Sequence, residues 1–459
     1  MLSNLLLPEI QSLIAERKLG ILKEILIDWP PADIAELIVN ISAQEQVIIF
    51  RLLSNELAAD TFEHLEVETQ KELLKAMAKS EVAAILNEMS PDDRTALLEE
   101  LPSAAAKQLI QLLSTEERKI AQTLLGYPEN SIGRLMTPDY IAVRPEWTIE
   151  ETLKFIRENA EDKETLNIVY VIDEKGKLLD DIKLKDFILA EPNEKVADIM
   201  DGNFVALNVH DDQEDAVEVF KKYDRIALPV VDKFNVLIGI VTVDDVLDVA
   251  EEEATEDIHK LAAVEAFEEP YPTISVFSMV RKRAVWLTVL FFGQTLTAFA
   301  MGYFEEELSR AIVLSMFIPL IISSGGNSGS QASTLVIRAM ALGEVDLIDW
   351  WKIIKREVLS GLSLGLILGT IGFFQVLFLS QFISALDKYL VLIGLTVGFS
   401  LVGIVLWGTL LGSMLPFILK SFGIDPATSS TPLVATMVDV TGLVIYFTLA
   451  MIILSGSLL

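Results

Sequence analysis

Five long stretches with almost no charged residue constrain this chain more than any other feature. Four of them, residues 284–304, 311–337, 358–386 and 389–419, carry no Asp, Glu, Lys or Arg, and the fifth, 426–459, contains only Asp439. A helix that crosses a bilayer needs about 20 consecutive, mostly apolar residues. The pattern therefore predicts five membrane-spanning helices in the C-terminal part and a multi-pass protein of the lipid bilayer.

The charge lies elsewhere in the chain. The formal net charge is −31, and ten basic and ten acidic residues follow position 270, so the first 270 residues hold 26 basic and 57 acidic side chains. An acidic part of this size attracts cations and repels nucleic acid and anionic lipid. The chain has no cysteine and three scattered histidines, which argues against disulfides, thiolate sites and a soft-metal centre.

The basic residues predict the orientation. They precede the first stretch at 281–283, separate the second from the third, and follow the fourth at Lys420, whereas Glu305, Glu306 and Glu307 lie on the opposite side. The positive-inside rule then places the acidic part in the cytosol and the C-terminus outside the cell membrane. We see no signal-peptide pattern and expect no cleaved leader.

The acidic part divides into regions of different texture. Residues 1–130 show apolar periodicity of three and four, as at Ile34, Leu37, Ile38 and Ile41, which predicts short α-helices stacked as a superhelix. Residues 131–250 alternate short β-branched runs with helical ones, in two halves of about 131–197 and 198–250. We expect a long acidic connecting helix over 244–267 (domain 244–270), and a pore domain over 271–459.

The second region repeats itself. Residues 135–143, with Met-Thr-Pro before a β-branched run, are echoed at 199–207, and the strand at 168–173 is echoed at 227–232. Each copy of the repeat ends in a predicted strand, which is followed by a helix with acidic residues in its first turn. This pattern resembles a tandem pair of CBS motifs, which the resemblance implies fold together as one α/β module.

Asp439 is the strongest single signal for function. A carboxylate inside the bilayer costs about 2.5 kcal/mol or more unless an ion, a partner or water compensates it. Helical spacing puts Ala435, Thr436 and Thr431 on roughly one face with it. Mg²⁺ suits such a site because this hard cation keeps most of its water and needs only one or two carboxylates.

A polar run interrupts the second apolar stretch. Nine small or polar residues occupy 323–331, including Gly325, Gly326, Asn327 and Gln331. Glycines allow helices to approach closely or allow a helix to break and expose carbonyls, and both interpretations remain open from sequence. Polar side chains in a span usually border water or ions, so these four are candidate pore-lining residues.

Acids on the connecting helix form the third signal. Asp245, Asp248, Glu252 and Glu256 share a helical face, with Glu253 and Asp257 on a neighbouring stripe. Repelling carboxylates next to the membrane part would be neutralised by divalent cations, which predicts a two-state switch. A solvated acidic face is the alternative.

Taken together, the order of parts resembles the MgtE family of Mg²⁺ transporters and channels. The residues that carry this resemblance are Gly-Gly-Asn-Ser-Gly-Ser-Gln at 325–331, Pro-Leu-Val-Ala-Thr-Met-Val-Asp-Val-Thr-Gly at 432–442, and the connecting helix at 242–261. The resemblance implies a homodimeric channel with Asp439 as the selectivity carboxylate, Ala435 supplying a carbonyl, and closure at high cytosolic Mg²⁺. Some members have Asn where this chain has Thr431, so an oxygen ligand is retained at this position but the amide is lost.

The resemblance also implies sites outside the membrane. It assigns a Mg²⁺ sensor to Asp92, Asp93, Asp212, Glu214, Asp224, Asp245, Asp248, Glu253, Glu256 and Asp257. Some members bind ATP at the CBS pair, where Tyr170 and Asp186 fall. Three other functions compete with a Mg²⁺ channel: a broader channel for Mn²⁺ and Co²⁺, a non-conducting Mg²⁺ sensor, and a CBS-regulated membrane enzyme. The sequence shows no clustered His and Asp for the enzyme, and we expect none.

Overall fold

A computed structural model describes residues 2–267, 271, 272, 274–383 and 389–455. The chain divides into two compact units, Met1–Glu251 and Glu252–Leu459, and we describe each by itself. The division falls within a single helix.

The first unit begins with short helices joined by tight turns. Their apolar faces pack into one core that includes Ile34, Leu37, Ile38 and Phe62, all buried. Ser114 caps a helix through its hydroxyl, which accepts the N–H of Glu117 at 3.1 Å. The helices are α1 Leu2–Ala15, α2 Leu19–Leu26, α3 Pro31–Val39, α4 Ala43–Phe50, α5 Asn55–Glu63, α6 Val67–Ala76, α7 Lys79–Glu88, α8 Pro91–Glu99, α9 Ser103–Ile110 and α10 Thr115–Leu124.

Two copies of one α/β pattern follow, as the repeat predicts. Each has a three-stranded sheet in which a short strand pairs in parallel with the next, and that strand pairs antiparallel with the third. The first copy comprises α11 Ile132–Leu135, β1 Ala142–Val143, α12 Ile149–Asn159, β2 Ile168–Ile172, β3 Leu178–Lys183 and α13 Leu184–Leu189. The second comprises α14 Val196–Ile199, β4 Leu207–Asn208, α15 Gln213–Tyr223, β5 Ala227–Val231 and β6 Leu237–Thr242.

The two copies share a core. Tyr170 and Ile168 of β2 pack with Ala227 and Val231 of β5 in one buried cluster. Each sheet therefore supports the other, and the pair is one structural module. The predicted combination of an all-helical region and an α/β tandem module is confirmed.

The connecting helix is shorter than predicted. It runs as α16 over Val243–Leu261, not to Phe267. Ala263 adopts a left-handed conformation with φ of 57°, and Val264 N–H reaches back to the carbonyl of His259 at 2.9 Å. This αL closure satisfies the last carbonyls and ends the helix before the prolines on which the prediction relied.

The second unit carries five helices that are long and apolar enough to cross a membrane, counted among the described residues. They are α17 Val276–Tyr303, α19 Ile318–Ala341, α20 Trp350–Ser380, α21 Leu390–Ser421 and α22 Thr431–Leu454, with a short α18 Glu305–Arg310 after the first. The predicted number of spans is confirmed. Several boundaries differ: α17 and α20 start before the predicted 284 and 358, whereas α19 and α22 start after the predicted 311 and 426. Residues 384–386 of the third predicted span and 456–459 of the fifth lie outside the described residues.

The polar run in α19 does not break the helix. α19 is continuous, and its glycines allow close helix approach: a Cβ on Gly412 of α21 would lie 2.0 Å from the carbonyl oxygen of Gly329. A Cβ on Gly408 would lie 2.5 Å from the carbonyl oxygen of Gly325. Of the two interpretations that the sequence left open, close packing is the one observed.

Candidate functional site

Asp439 lies on α22, the last helix of the membrane unit, and its side chain is half-buried. It is about 12 Å of helix rise from Thr431, the first residue of α22. Its Oδ1 lies 3.8 Å from the position a Cβ would take on Gly326 of α19, and the Ala435 Cβ lies 3.5 Å from the same position. A Cβ at position 326 would therefore lie in ordinary van der Waals contact with the carboxylate and with Ala435.

The other carboxylate oxygen has a side-chain partner. Gln294 of α17 donates its Nε2–H to Oδ2 of Asp439 at 3.1 Å. Gln294 was not among the site residues predicted from sequence, although an amide inside an apolar span is a signal that could have found it. The Asp439 carboxylate thus sits at the junction of α17, α19 and α22.

Oxygen ligands also gather where α22 begins. Ser330 of α19 donates to the carbonyl of Thr431 at 3.3 Å, and Ser333 donates to the carbonyl of Ser429 at 3.1 Å. These bonds tie the polar side of α19 to the segment before α22. Thr431 and Asp439 are separated by about two helical turns, with Ala435 between them on the same face.

Three polar side chains form an exposed stripe on α19. Ser323, Asn327 and Gln331 are spaced by four and share one face, and Asn327 Nδ2 donates to Ser323 Oγ at 3.4 Å. Gly325 and Gly329 are buried on the packed side of the helix. A polar stripe at membrane depth is costly against lipid, so it needs water, ions or protein beside it.

In the first unit the structure brings several predicted acids together with others. Asp92 is buried at the start of α8, and its neighbour Asp93 accepts the hydroxyl of Ser90 at 2.8 Å. Asp245 of α16 accepts the hydroxyl of Thr242 at 2.6 Å. We call the following set the acidic cluster: Asp92, Asp93, Glu164, Asp244, Asp245 and Asp248.

Burial and mutual repulsion raise the pKa values of several carboxyl groups in the acidic cluster. Burial, followed by the charges of Asp245, Asp93 and Glu164, holds the pKa of Asp92 well above its usual range. Burial raises the pKa of Asp245 to about 8, against the hydrogen bond from Thr242 and with further repulsion from Asp244. The pKa of Asp93 and that of Asp248 are also raised, first by burial and then by Asp244. Compensating positive charge would relieve this repulsion.

A second acidic group lies in the other unit and contains a cation from the chain itself. Lys260 Nζ lies 2.6 Å from Oε1 of Glu256 and 2.6 Å from Oδ2 of Asp425, in the segment just before α22. Burial and then the charge of Asp425 raise the pKa of Asp257. We call Lys260, Glu256 and Asp425 the lysine clasp. Lys260 and Asp425 were not predicted as site residues, since only the i, i+4 spacing of Glu256 and Lys260 is visible in sequence.

The structure does not bring the remaining predicted sensor acids to one place. Asp212 caps the start of α15 by accepting the N–H of Glu214 at 3.1 Å, and Asp224 is the left-handed residue that ends this helix. The two ends of α15 are about 16 Å apart. Glu253 lies on α16 one turn before Glu256. Among the described residues, no three acidic or histidine side chains are arranged to hold a metal ion by direct ligation.

A cleft of about 390 Å³ opens between the two halves of the α/β module. Asp186 and Asp224 line it together with the cationic side chains Lys183, Lys185 and Arg225. Tyr170, the other predicted nucleotide residue, is fully buried in the core between the sheets and is not among the lining residues. The cleft offers both carboxylates and cations to a ligand.

These observations define a class: a multi-pass membrane protein with an acidic helical region, a tandem α/β module and a carboxylate inside its membrane unit. Family models match in the same order: MgtE intracellular N domain at 29–130, CBS domain at 132–193 and 196–252, and MgtE, divalent cation transporter, at 318–449. The chain belongs to the MgtE family.

Relatives and solved structures agree. The chain is 38% identical over 450 residues to the magnesium transporter MgtE of Thermus thermophilus, covering 97% of this chain and 98% of that one. It is 31% identical to the magnesium transporter MgtE of Bacillus subtilis, covering 95% of both. The crystal structure of the cytosolic domain of the Mg²⁺ channel MgtE in complex with ATP is 37% identical, with a TM-score of 0.51, covering 53% of this chain and 99% of that chain.

Proposed function

We propose that this protein conducts Mg²⁺ into the cell across the cell membrane, with Asp439 as the carboxylate that selects the ion. The observation that carries the proposal is the placement of Asp439 beside Gly326 and Gln294 inside the membrane unit. Family membership and the magnesium-transporter names of two relatives support it. The protein acts as a transporter and not as an enzyme.

The chemistry of the site suits a hydrated ion. Asp439 supplies one full negative charge, and the surrounding groups that face it are an amide, glycine backbone and alanine. Mg²⁺ loses water reluctantly and is held through one or two carboxylates and its own waters. A site with one carboxylate per subunit attracts such an ion without trapping it.

The exposed stripe on α19 supports a homodimer with the pore on its two-fold axis. Ser323, Asn327 and Gln331 need a polar neighbour at membrane depth. A second copy related by a two-fold axis would place two stripes and two Asp439 carboxylates around one water-filled path. The acidic unit then lies in the cytosol and the C-terminus outside, in agreement with the distribution of Lys and Arg.

The acidic cluster supports control by cytosolic Mg²⁺. Carboxylates held at raised pKa values repel one another, and a divalent cation that bridges two of them through its waters stabilises the compact arrangement. High Mg²⁺ closes the channel, and loss of Mg²⁺ lets the cluster open. The sensor comprises Asp92, Asp93, Asp245 and Asp248, with Glu256 and Asp257 on the later turns of α16; Asp212, Glu214, Asp224 and Glu253 are further candidates from the family resemblance.

The cleft of the α/β module supports ATP as a second ligand. Lys183, Lys185 and Arg225 suit phosphates, while Asp186 suits ribose hydroxyls. One solved relative is in complex with ATP.

The test is a flux assay on the full chain in lipid vesicles, with Mg²⁺, Mn²⁺, Co²⁺ and Ca²⁺ side by side. We expect Mg²⁺ flux and a loss of at least about a hundredfold in Asp439→Asn, because a neutral amide forfeits the attraction for the ion. Glu305→Gln, an exposed acid after α17, is the matched control and should keep wild-type flux. Undiminished Mg²⁺ flux in Asp439→Asn would refute the pore assignment. Equal flux of Mn²⁺ and Co²⁺ in the wild type would favour a general divalent channel, which the family description also covers.

A further inference from the structure

Among the residues that the structure describes, Gln294 is the side chain on another helix that bonds directly to the Asp439 carboxylate. Its Nε2 lies 3.1 Å from Oδ2. The rest of the apolar segment 284–304 is uncharged, so Gln294 places an amide at a depth where an uncompensated polar group is costly. An interhelical bond to a carboxylate compensates that cost.

The helix that carries Gln294 approaches α22 closely at this level. A Cβ on Gly293 would lie 2.9 Å from Cγ2 of Thr436, so glycine is needed for the observed spacing of α17 and α22. α17 has no buried residue of its own, and α22 is its main partner within the chain. The position of Gln294 beside Asp439 thus follows from this close approach of the two helices.

The chemistry of the pair fixes which way the amide points. A carboxylate can only accept hydrogen bonds, so Gln294 must turn its NH₂ group toward Asp439 and its carbonyl Oε1 away. Oε1 is then an acceptor next to a carboxylate whose other oxygen, Oδ1, lies over Gly326. Water bound to a divalent cation is a strong donor and requires acceptors of this kind.

We propose that Gln294 is a specificity-determining residue for the transported ion: its NH₂ orients Asp439, and its Oε1 accepts a hydrogen bond from the ion's bound water. This inference rests on the proposed role of Asp439 and adds a second helix to that site. The ion is recognised through its hydration shell by a carboxylate on α22 and an amide on α17. A side chain at position 294 that keeps the size of Gln but lacks the amide would weaken recognition of hydrated ions.

The experiment uses the full chain in lipid vesicles and two probes, Mg²⁺ flux and its block by cobalt(III) hexaammine, whose ligands imitate a hydration shell and do not exchange. In Gln294→Met, which keeps length and helix propensity, we expect the half-saturating Mg²⁺ concentration and the half-blocking hexaammine concentration to rise about tenfold, which corresponds to one charge-assisted hydrogen bond. The maximal flux should stay within about twofold. In Gln294→Glu the added carboxylate should lower the half-blocking concentration at least about threefold.

Thr295→Ala is the matched control, because within the described part of the chain the Thr295 hydroxyl bonds to the carbonyl of Phe291 in its own helix at 3.5 Å and not to Asp439; it should match the wild type. A Gln294→Met protein with wild-type half-saturation and half-block overturns the inference while leaving Asp439 in place. If Gln294→Met does not assemble, a wild-type half-blocking concentration in Gln294→Glu overturns it equally. Undiminished flux in Asp439→Asn is the separate result that would refute the underlying function.

Discussion

The two units place carboxylates in opposite situations. In the acidic cluster, the buried Asp92 lies among other acids that are partly buried or exposed, and burial and repulsion raise the pKa values of Asp92, Asp93 and Asp245. In the membrane unit, Asp439 faces a neutral amide and a glycine, and no Lys or Arg lies in the uncharged segments around it. A group of repelling acids changes its arrangement when a cation arrives, whereas one carboxylate with neutral neighbours attracts a cation and lets it leave. This difference supports the proposal that the first region serves control and the second serves conduction.

Removing charge from the acidic cluster should have the largest effect on the Mg²⁺ dependence of closure. In the double variant Asp245→Asn and Asp248→Asn we expect the Mg²⁺ concentration that half-closes the channel to rise about a hundredfold, because two charge-assisted contacts are lost. Flux at low Mg²⁺ should match the wild type. The measurement is flux into vesicles as Mg²⁺ on the side of the acidic unit is varied. Asp346→Asn with Asp349→Asn, a pair of acids just before α20, is the control, and an unchanged midpoint in the cluster variant would argue against the sensor.

The acidic cluster also predicts a pH dependence. An acid whose pKa folding raises binds more protons in the folded than in the unfolded state, so its contribution to stability is present at low pH and is lost as pH rises. For Asp245 the window runs from its ordinary value of about 4 to about 8. Without divalent cations, the free energy of unfolding of the first unit should fall by about 2 kcal/mol between pH 6 and pH 8.

Limited proteolysis of the full chain in EDTA measures this loss, and Mg²⁺ should largely remove it. Asp245→Asn is the variant in which the pH dependence should shrink. Proteolysis that is equally insensitive to pH with and without Mg²⁺ would show that the cluster does not control opening.

Breaking the lysine clasp should have the smallest effect on the Mg²⁺ concentration that half-closes the channel. It joins α16 to the segment before α22 inside the second unit, but its side chains are partly exposed, so the ion pairs contribute only about 1 kcal/mol. Lys260→Met should shift the half-closing Mg²⁺ concentration by about fivefold. The exchanged pair Lys260→Asp with Asp425→Lys should restore much of the wild-type value, and Lys352→Met, which removes an exposed pair with Asp349, should change nothing. If the exchanged pair behaves like Lys260→Met alone, the lysine clasp is a surface contact without a role in closure.

The architecture could be predicted because it depends on patterns that are local in sequence. The uncharged segments, the sequence repeat in 131–250 and the acidic periodicity of α16 each predict a structural element without information from distant residues. The end of α16 was missed because Ala263 closes the helix in a left-handed conformation that its sequence does not signal. The prolines further on gave the stronger, but wrong, stop signal.

The site was predictable only in part for a related reason. Asp439 stands out because a charge in an apolar span is rare. Its partner Gln294 is 145 positions earlier, and Asp425 is 165 positions from Lys260, so neither pair follows from spacing. The predicted role of Tyr170 depended on resemblance alone, and the structure shows its side chain buried between the sheets.

The most direct test of separate carboxylates for conduction and control compares two variants in one assay. Flux and Mg²⁺-dependent protection of α16 from protease are measured on the same vesicle preparations. We predict that Asp439→Asn abolishes flux and keeps the protection, while Asp245→Asn with Asp248→Asn keeps flux and loses the protection. Loss of both properties in either variant, or wild-type flux in Asp439→Asn, would contradict the account.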